Sequence, residues 1–241
     1  MKKTLCFDFG NTRRKAAFFN DNQMAEVITL NSGSPEEIED LVIRHQPDFT
    51  ILASVVKHEE IIETFLSNHS QFHKIDQTSA MPFKSLVRKA ETVGVDRLAL
   101  CAAAVNLFPD SNILVIGMGT CITYNFVNKQ HHFLGGAISP GLEMRFQSMH
   151  TQTAFLPLVK MDWNFPLIGY DTNTAILSGV AMGVAKEIDG IIEAYEEKFE
   201  SLKVLLTGGD ALHFAPLLKK RIFADPHLTF KGLYAISTIN R

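Results

Sequence analysis

The feature that most constrains the fold is an internal repeat of a strand, a glycine turn and a second strand. In the first copy, the apolar run Lys3–Phe9 ends at a turn around Gly10, and a second run, Arg14–Phe19, follows it. The same pattern returns at a constant offset along the chain. The corresponding residues are Phe7 and Ile116, Gly10 and Gly119, Asn11 and Thr120, and Ala17 and Phe126. A period this long indicates a duplicated domain rather than a solenoid. Two copies that face each other would bring both glycine turns to one cleft, a natural nucleotide site.

Each copy is predicted to continue with a third strand and then helices, so the chain is of the α/β class. Proline after serine marks two helix starts, at Ser34-Pro35 and at Ser139-Pro140. The other predicted elements are the third strands Met24–Leu30 and Phe133–Ile138, and the helices Gly94–Phe108, Thr172–Phe199 and Phe230–Ile239. Pro109 breaks the first of these helices, so we expect one domain at 1–109 and another at 110–241.

Composition limits the class of protein and its partners. The chain has 241 residues, of which 46% are hydrophobic and 20% charged, and its net charge is −3. No basic tract predicts a nucleic-acid partner, and no apolar stretch reaches the length of a membrane span or a signal peptide. Three isolated cysteines, Cys6, Cys101 and Cys121, are typical of buried free thiols in a reducing compartment, so a cytoplasmic location is expected.

The first glycine turn, Asp8–Thr12, has the composition of a phosphate-binding loop. Gly10 allows a ligand to approach the backbone, while Asn11 and Thr12 provide short polar side chains. Asp8, at the end of a buried strand, can hold a cation or a water. The turn is not a P-loop, because the G-x-x-x-x-G-K-[ST] pattern is absent. The alternative is an ordinary hairpin whose polar side chains satisfy the turn.

Three further glycine turns follow strands or open helices. They are Gly94–Arg97, Gly117–Thr120 and Thr207–Asp210. The last pairs Gly208 with Gly209 between a strand and a helix, which suits a ribose or base lying against the backbone. In the first, Asp96 could accept a proton from a substrate hydroxyl during phosphoryl transfer, with Arg97 favouring an anion. The alternative for Asp96 and Arg97 is an exposed ion pair at a helix start.

These turns occur in an order that resembles a known family. The motifs are Asp8–Thr12 with Lys15, Gly94–Arg97, Gly119-Thr120, Gly135–Gly141, Thr153–Pro157, Gly169 with Thr172, Ser178-Gly179, and Thr207–Asp210. Their order and spacing resemble type III pantothenate kinases, in the superfamily of acetate and sugar kinases, heat-shock ATPases and actin. The resemblance covers about residues 3 to 236. It implies two ribonuclease-H-like (actin-like ATPase) domains with mixed five-stranded sheets and an interdomain cleft.

The resemblance also implies a reaction and roles for individual residues. The reaction would be ATP-dependent phosphorylation of pantothenate to 4′-phosphopantothenate, the first step of coenzyme A biosynthesis. Asp96 would be the general base, and Arg97 would contact the carboxylate or amide of the substrate. The residues implied to bind ATP or its phosphates are Asp8, Gly10, Asn11, Thr12, Lys15, Gly119, Thr120, Thr207, Gly208 and Gly209. Those implied to bind pantothenate are Val87, Gly94, Val95, Asp96, Arg97 and, across a homodimer interface, Thr172.

The family also implies Mg²⁺, for which Asp8 is the expected ligand, and a monovalent cation, K⁺ or NH₄⁺. Here the sequence departs from the family pattern. Gly117 stands where the family has the aspartate that holds the monovalent cation, and Asn125 replaces a later acid of the same region. By spacing, Val87 and Ala90 stand where a tyrosine and a proline wall the pantothenate pocket. These differences make the potassium requirement and the substrate pose open questions.

Three functions therefore remain open at this point. The first is pantothenate kinase activity, which the turn Gly94–Arg97 and Asp8 favour. The second is a regulatory relative that binds nucleotide or pantothenate without catalysis, which the loss of an acid at Gly117 favours. The third is a kinase for another small hydroxylated substrate. Release of ADP with and without pantothenate discriminates among them.

Overall fold

The computed structural model describes residues 2–241. The strands are β1 Lys3–Phe9, β2 Arg14–Asn20, β3 Gln23–Thr29, β4 Phe49–Ser54, β5 Gln71–Lys74, β6 Lys84–Ser85, β7 Ile113–Met118, β8 Cys121–Val127, β9 His132–Pro140, β10 Lys203–Gly208 and β11 Phe223–Ala224. The helices are α1 Pro35–His45, α2 Glu60–His69, α3 Val95–Leu107, α4 Leu142–Thr151, α5 Thr172–Lys198, α6 Ala211–Phe214 and α7 Leu228–Ile239. The predicted triplets of strands are therefore present, with ends that differ by one or two residues.

The first sheet contains five strands in the order β3-β2-β1-β4-β5. Strands β1, β2 and β3 are antiparallel neighbours, whereas β4 is parallel to both β1 and β5. The centre of β1 is buried at Leu5, Cys6 and Phe7, as expected for a strand that is covered on both faces. α1 begins where the sequence predicts, because Ser34 accepts a hydrogen bond from Glu37 N and Pro35 occupies the first turn.

The second sheet has the order β11-β10-β7-β8-β9-β6. Read in the opposite direction, as β9-β8-β7-β10-β11, five of its strands repeat the order of the first sheet. β7 and β8 are antiparallel, and β10 is parallel to β7. The duplication predicted from the glycine turns is thus confirmed as two sheets of one topology. The expected five strands become six because the two-residue strand β6 pairs with His132 and Phe133 at the start of β9.

The chain separates into two compact units. The first contains residues 2–109, Gln130–Leu134 and His227–Arg241, and the second contains Asp110–Lys129 and Gly135–Pro226. The predicted second domain, 110–241, was therefore wrong at its end, because α7 belongs to the first unit. The reason is tight packing of α7 on α3: a Cβ at Gly232 would lie 1.8 Å from the carbonyl oxygen of Ala99.

The predicted helix start at Ser139-Pro140 also needs correction. Pro140 is the last residue of β9, and α4 begins at Leu142 with Gly141 as its N-cap. The hydrophobic core of the second unit packs β7, β8 and β10 against α4 and α5, with Tyr124, Phe146 and Ile188 among its fully buried residues. In residues 2–241, none of the helices is both long enough and apolar enough to cross a membrane.

Candidate active site

The turn after β1 places a carboxylate, a lysine and two exposed polar side chains together. Asp8 is the penultimate residue of β1 and lies opposite Lys15 of β2 in the antiparallel register. Gly10 N donates to Arg13 O at 3.1 Å, which closes the turn. Asn11 and Thr12 lie at the exposed tip. The arrangement suits an anion that binds at the tip, beside a cation that Asp8 can hold.

The start of α3 places Asp96 close to Asp8. Gly94 caps the helix, and its carbonyl accepts hydrogen bonds from Arg97 N and Leu98 N at 3.0 and 3.2 Å. A Cβ at Gly94 would lie 2.4 Å from Oδ1 of Asp96, so glycine makes room for this carboxylate. Asp96 is close enough for its charge to act on Asp8. The structure thus joins two acids that are far apart in the sequence.

Electrostatics at Asp8 favour a bound cation. Burial, followed by the negative charge of Asp96, raises the pKa of Asp8 to about 6, although Lys15 opposes the shift. Two neighbouring carboxylates repel each other unless a proton or a metal ion lies nearby. Mg²⁺ commonly takes one or two carboxylates, and phosphate oxygens complete its shell. Asp8 is therefore a suitable ligand for Mg²⁺ bound together with a nucleotide, with the charge of Asp96 nearby.

Arg97 lies beside aromatic rings that the sequence analysis did not single out. The Arg97 guanidinium carbon lies 5.8 Å from the centre of the Phe133 ring, and Phe83 contacts Phe133 edge-on at 6.1 Å. Val87 and Ala90, the positions expected to wall the substrate pocket, are both half-buried. Pairing of β6 with β9 brings Phe133 into this region, a contact that local sequence patterns do not reveal.

In the second unit, two more glycine turns lie side by side. The parallel register of β7 and β10 pairs Gly117 with Thr207 and Met118 with Gly208. A Cβ at Gly208, whose φ is +109°, would lie 2.0 Å from the Met118 carbonyl oxygen, so only glycine fits there. Thr207 is buried, whereas Gly209, like Gly119 and Thr120 of the neighbouring turn, is exposed. These exposed residues lie at the same end of the sheet, where β7 and β10 finish.

The turn Gly119–Thr120 is supported from behind by the segment that precedes α4. Gly141 N donates to Thr120 O at 3.0 Å. A Cβ at Gly141 would lie 2.3 Å from Gly119 O and 2.5 Å from Thr120 O. The path of the turn therefore depends on the position of Gly141.

A carboxylate that the sequence analysis missed lies beside this segment. Glu187 of α5 accepts hydrogen bonds from the Tyr124 hydroxyl at 2.8 Å and from the Ser139 hydroxyl, and it pairs with Arg145. Burial alone would raise its pKa, but these three partners more than offset that effect and hold the pKa of Glu187 below its usual value. A signal was present in the sequence, because Glu187 shares the helix face of Val184, Ile188 and Ile191.

The remaining predicted residue, Thr172, is the exposed first residue of α5, where Asp171 forms the N-cap. Three large apolar side chains just before it are also exposed: Leu167 by 74%, Ile168 by 82% and Tyr170 by 80%. Among residues 2–241, no group of three or more His, Cys, Asp or Glu side chains is arranged to hold a metal ion.

Solved structures with this architecture define the fold class. A Baf family protein from Campylobacter jejuni superposes with a TM-score of 0.61 at 22% identity, with 96% of each chain covered. A glucokinase from an Antarctic psychrotroph superposes with a TM-score of 0.52 at 12% identity, with 99% of each chain covered. Together with the repeated sheet order and the glycine turns at the strand ends, they place the chain in the class of duplicated ribonuclease-H-like, actin-like ATPase folds.

Sequence comparison narrows this class to one family. Residues 4–194 match the family model described as type III pantothenate kinase. A type III pantothenate kinase of Christiangramia forsetii is 41% identical over 243 residues, and one of Bacteroides fragilis is 40% identical over 237 residues; each comparison covers 98% of both chains. The chain belongs to the type III pantothenate kinase family, which confirms the resemblance seen in its motifs.

Proposed function

We propose that Asp8 and Asp96 carry the reaction of this family in the present chain. The chain is a kinase that uses ATP to phosphorylate pantothenate, the first step of coenzyme A biosynthesis. The observation that supports the assignment is the closeness of the two carboxylates, one at the end of β1 and one in the first turn of α3. A kinase needs both a cation that screens phosphate charge and a base for the attacking hydroxyl.

Asp96 is the base in this proposal. The primary hydroxyl oxygen of pantothenate forms a bond to the γ-phosphorus of ATP while the bond from that phosphorus to the β,γ-bridging oxygen breaks. The hydroxyl proton passes to the Asp96 carboxylate, and ADP leaves. Gly94 leaves space for this carboxylate, and Val95 and Arg97 lie beside it at the helix start, where backbone N–H groups favour an anionic group of the substrate.

Asp8 holds Mg²⁺ in this proposal, and the ion would supply charge neutralisation at the β- and γ-phosphates. Lys15 and the tip residues Gly10, Asn11 and Thr12 contact phosphate oxygens. In the second unit, Gly119 and Thr120 contact ATP phosphates, and Thr207, Gly208 and Gly209 lie along the adenosine. The exposed backbone of both turns and the strict need for glycine at 208 support this assignment.

The position expected to bind a monovalent cation is where this chain departs most from the family pattern. Gly117 carries no carboxylate, and its partner across β8 is Thr123. Backbone carbonyls and a hydroxyl bind K⁺ less strongly than a carboxylate does. We expect K⁺ or NH₄⁺ to affect the rate less than in a relative with aspartate at this position.

The protein acts as a homodimer in the cytoplasm in this proposal. The exposed apolar side chains Leu167, Ile168 and Tyr170 form a surface that favours burial against a second copy, and Thr172 follows them directly. Cys6 and Cys101 are buried free thiols, which suits a reducing compartment. Sedimentation of the Ile168→Asp variant tests the dimer: a monomer is expected, and an unchanged dimer would contradict this surface.

Kinetics of the Asp96→Asn variant test the catalytic assignment. We expect kcat to fall about 10²-fold or more, within the usual effect of a general base, with little change in ATP affinity. Glu91→Gln is the matched control, because Glu91 is an exposed acid shortly before the same helix. A kcat near that of the unmodified enzyme in Asp96→Asn would exclude Asp96 as the base. Absence of any pantothenate-dependent ADP release in the unmodified enzyme would favour a regulatory relative.

A further inference from the structure

The second unit contains a polar cluster that no step of the proposed reaction uses. The cluster consists of Tyr124, Ser139, Arg145 and Glu187. Glu187 and Arg145 side chains are only 24% and 21% exposed, and Tyr124 is fully buried. An acid in such a position is costly unless its oxygens are hydrogen-bonded. Both oxygens of Glu187 are occupied, one by the two hydroxyls and the other by Arg145.

Two of these contacts hold the same short segment. Ser139 donates directly to Glu187. Arg145, oriented by Glu187, donates from Nε to the Pro140 carbonyl at 2.8 Å. Ser139 and Pro140 end β9 and lead into Gly141, so the carboxylate of α5 fixes the segment at two consecutive residues.

The segment Ser139–Gly141 in turn fixes the phosphate-binding turn. Gly141 N bonds to Thr120 O, and its Cα packs so closely that a Cβ would overlap the carbonyl oxygens of Gly119 and Thr120. Packed elements of this kind transmit small displacements, because protein interiors have little free volume. A shift of Ser139–Gly141 must therefore move the turn or open a gap behind it.

We propose that Glu187 is a positioning residue for ATP, which sets the path of the turn Gly119–Thr120 through Ser139, Arg145 and Gly141. The inference rests on the proposed role of this turn in binding ATP phosphates. Glu187 touches neither substrate. Its effect should be on ATP binding rather than on proton transfer, because the base, Asp96, lies in the other unit.

The decisive comparison removes, one at a time, the two hydroxyl hydrogen bonds that Glu187 accepts. Ser139→Ala removes the direct hydrogen bond from the segment to the carboxylate and leaves only the contact through Arg145, whereas Tyr124→Phe removes a hydroxyl hydrogen bond to the same carboxylate oxygen that leads to β8. Ser139→Ala should raise KM for ATP about tenfold, which corresponds to about 1.4 kcal/mol, with kcat and KM for pantothenate nearly unchanged. Tyr124→Phe should lower the unfolding temperature at least as much but leave KM for ATP within about twofold of the unmodified enzyme, by the same relation.

Two further variants complete the test. Glu187→Gln keeps an oxygen for the hydroxyls but places an amide NH₂ against Arg145, so it should also raise KM for ATP. Ser139→Thr retains the hydroxyl, so its KM for ATP should stay near that of the unmodified enzyme. Glu197 is an exposed acid farther along α5. Glu197→Gln is therefore the control that should change neither KM for ATP nor the unfolding temperature.

Thr120→Val separates failure of this inference from failure of the proposed site. If Thr120→Val raises KM for ATP and Ser139→Ala does not, Glu187 has no positioning role. If KM rises in Tyr124→Phe in proportion to lost stability, the cluster is merely structural and the inference is wrong. If Thr120→Val also leaves KM for ATP unchanged, the turn does not bind phosphate, and the inference fails with that assignment while Asp96→Asn still tests the reaction.

Discussion

Replacement of Asp8 by asparagine should stabilise the protein while it removes activity. Asp8 is ionised at neutral pH in a place where burial and Asp96 oppose its charge, which raises its pKa from 3.8 to about 6. Because the pKa is higher in the folded than in the unfolded state, ionisation of Asp8 costs stability. The cost is absent below about pH 4, develops as the pH rises, and is complete above about pH 6.

The size of the effect follows from the shift. About two pKa units, each worth about 1.4 kcal/mol, correspond to about 3 kcal/mol in the absence of bound cation. Asparagine has the same shape and no charge, so it avoids this cost at every pH. For a chain of this length, Asp8→Asn should then raise the unfolding temperature by about 6 to 12 °C at pH 8 and by nearly nothing at pH 4.

Thermal unfolding by circular dichroism between pH 4 and 8, without metal or nucleotide, measures this difference. Asp40→Asn on α1 is the control, because Asp40 is exposed and the substitution should shift the midpoint by no more than about 2 °C. Addition of Mg²⁺ with ATP should stabilise the unmodified protein more than Asp8→Asn. An Asp8→Asn protein that is no more stable at pH 8, or whose advantage is the same at pH 4, would refute the reasoning.

Two further predictions concern glycines of the second unit. Gly141→Ala should raise KM for ATP at least tenfold and destabilise the fold by about 1–3 kcal/mol, since the new Cβ would overlap the turn Gly119–Thr120; Gly190→Ala on α5, where nothing lies within 4 Å, should instead stabilise it by up to about 1 kcal/mol. Initial rates at constant ionic strength should depend little on K⁺ in the unmodified enzyme and more in Gly117→Asp. A steep K⁺ requirement without the substitution would show that other oxygens form the cation site.

The sequence predicted the duplicated sheets well because their signal is local. Buried strands that end at glycine turns leave a pattern that can be compared between Gly10 and Gly119 without knowing any tertiary contact. The start of α1 was predicted for the same reason, since Ser34 and Pro35 act on their own helix turn. Where neighbouring residues alone determine a strand end or a helix start, the spacing of residue types is enough to predict it.

The errors and omissions depend on contacts between distant residues. The unit to which α7 belongs is decided by the close approach of Gly232 to Ala99, which no pattern within α7 contains. The two-residue strand β6 is too short for periodicity and exists only through its pairing with β9. The closeness of Asp8 and Asp96 could be expected only from the family resemblance. The role of Glu187 was not predicted, because its partners Tyr124, Ser139 and Arg145 are distant from it in the sequence.

The central claim is that this chain transfers phosphate from ATP to the primary hydroxyl of pantothenate. Phosphorus NMR of a reaction containing the enzyme, ATP and Mg²⁺, with and without pantothenate, tests it most directly. We predict a new phosphate monoester that accumulates in equal amount with ADP, and neither product when pantothenate is replaced by its analogue without the 4′-hydroxyl. ADP formation at the same rate with and without pantothenate, or no phosphate ester at all, would contradict the claim.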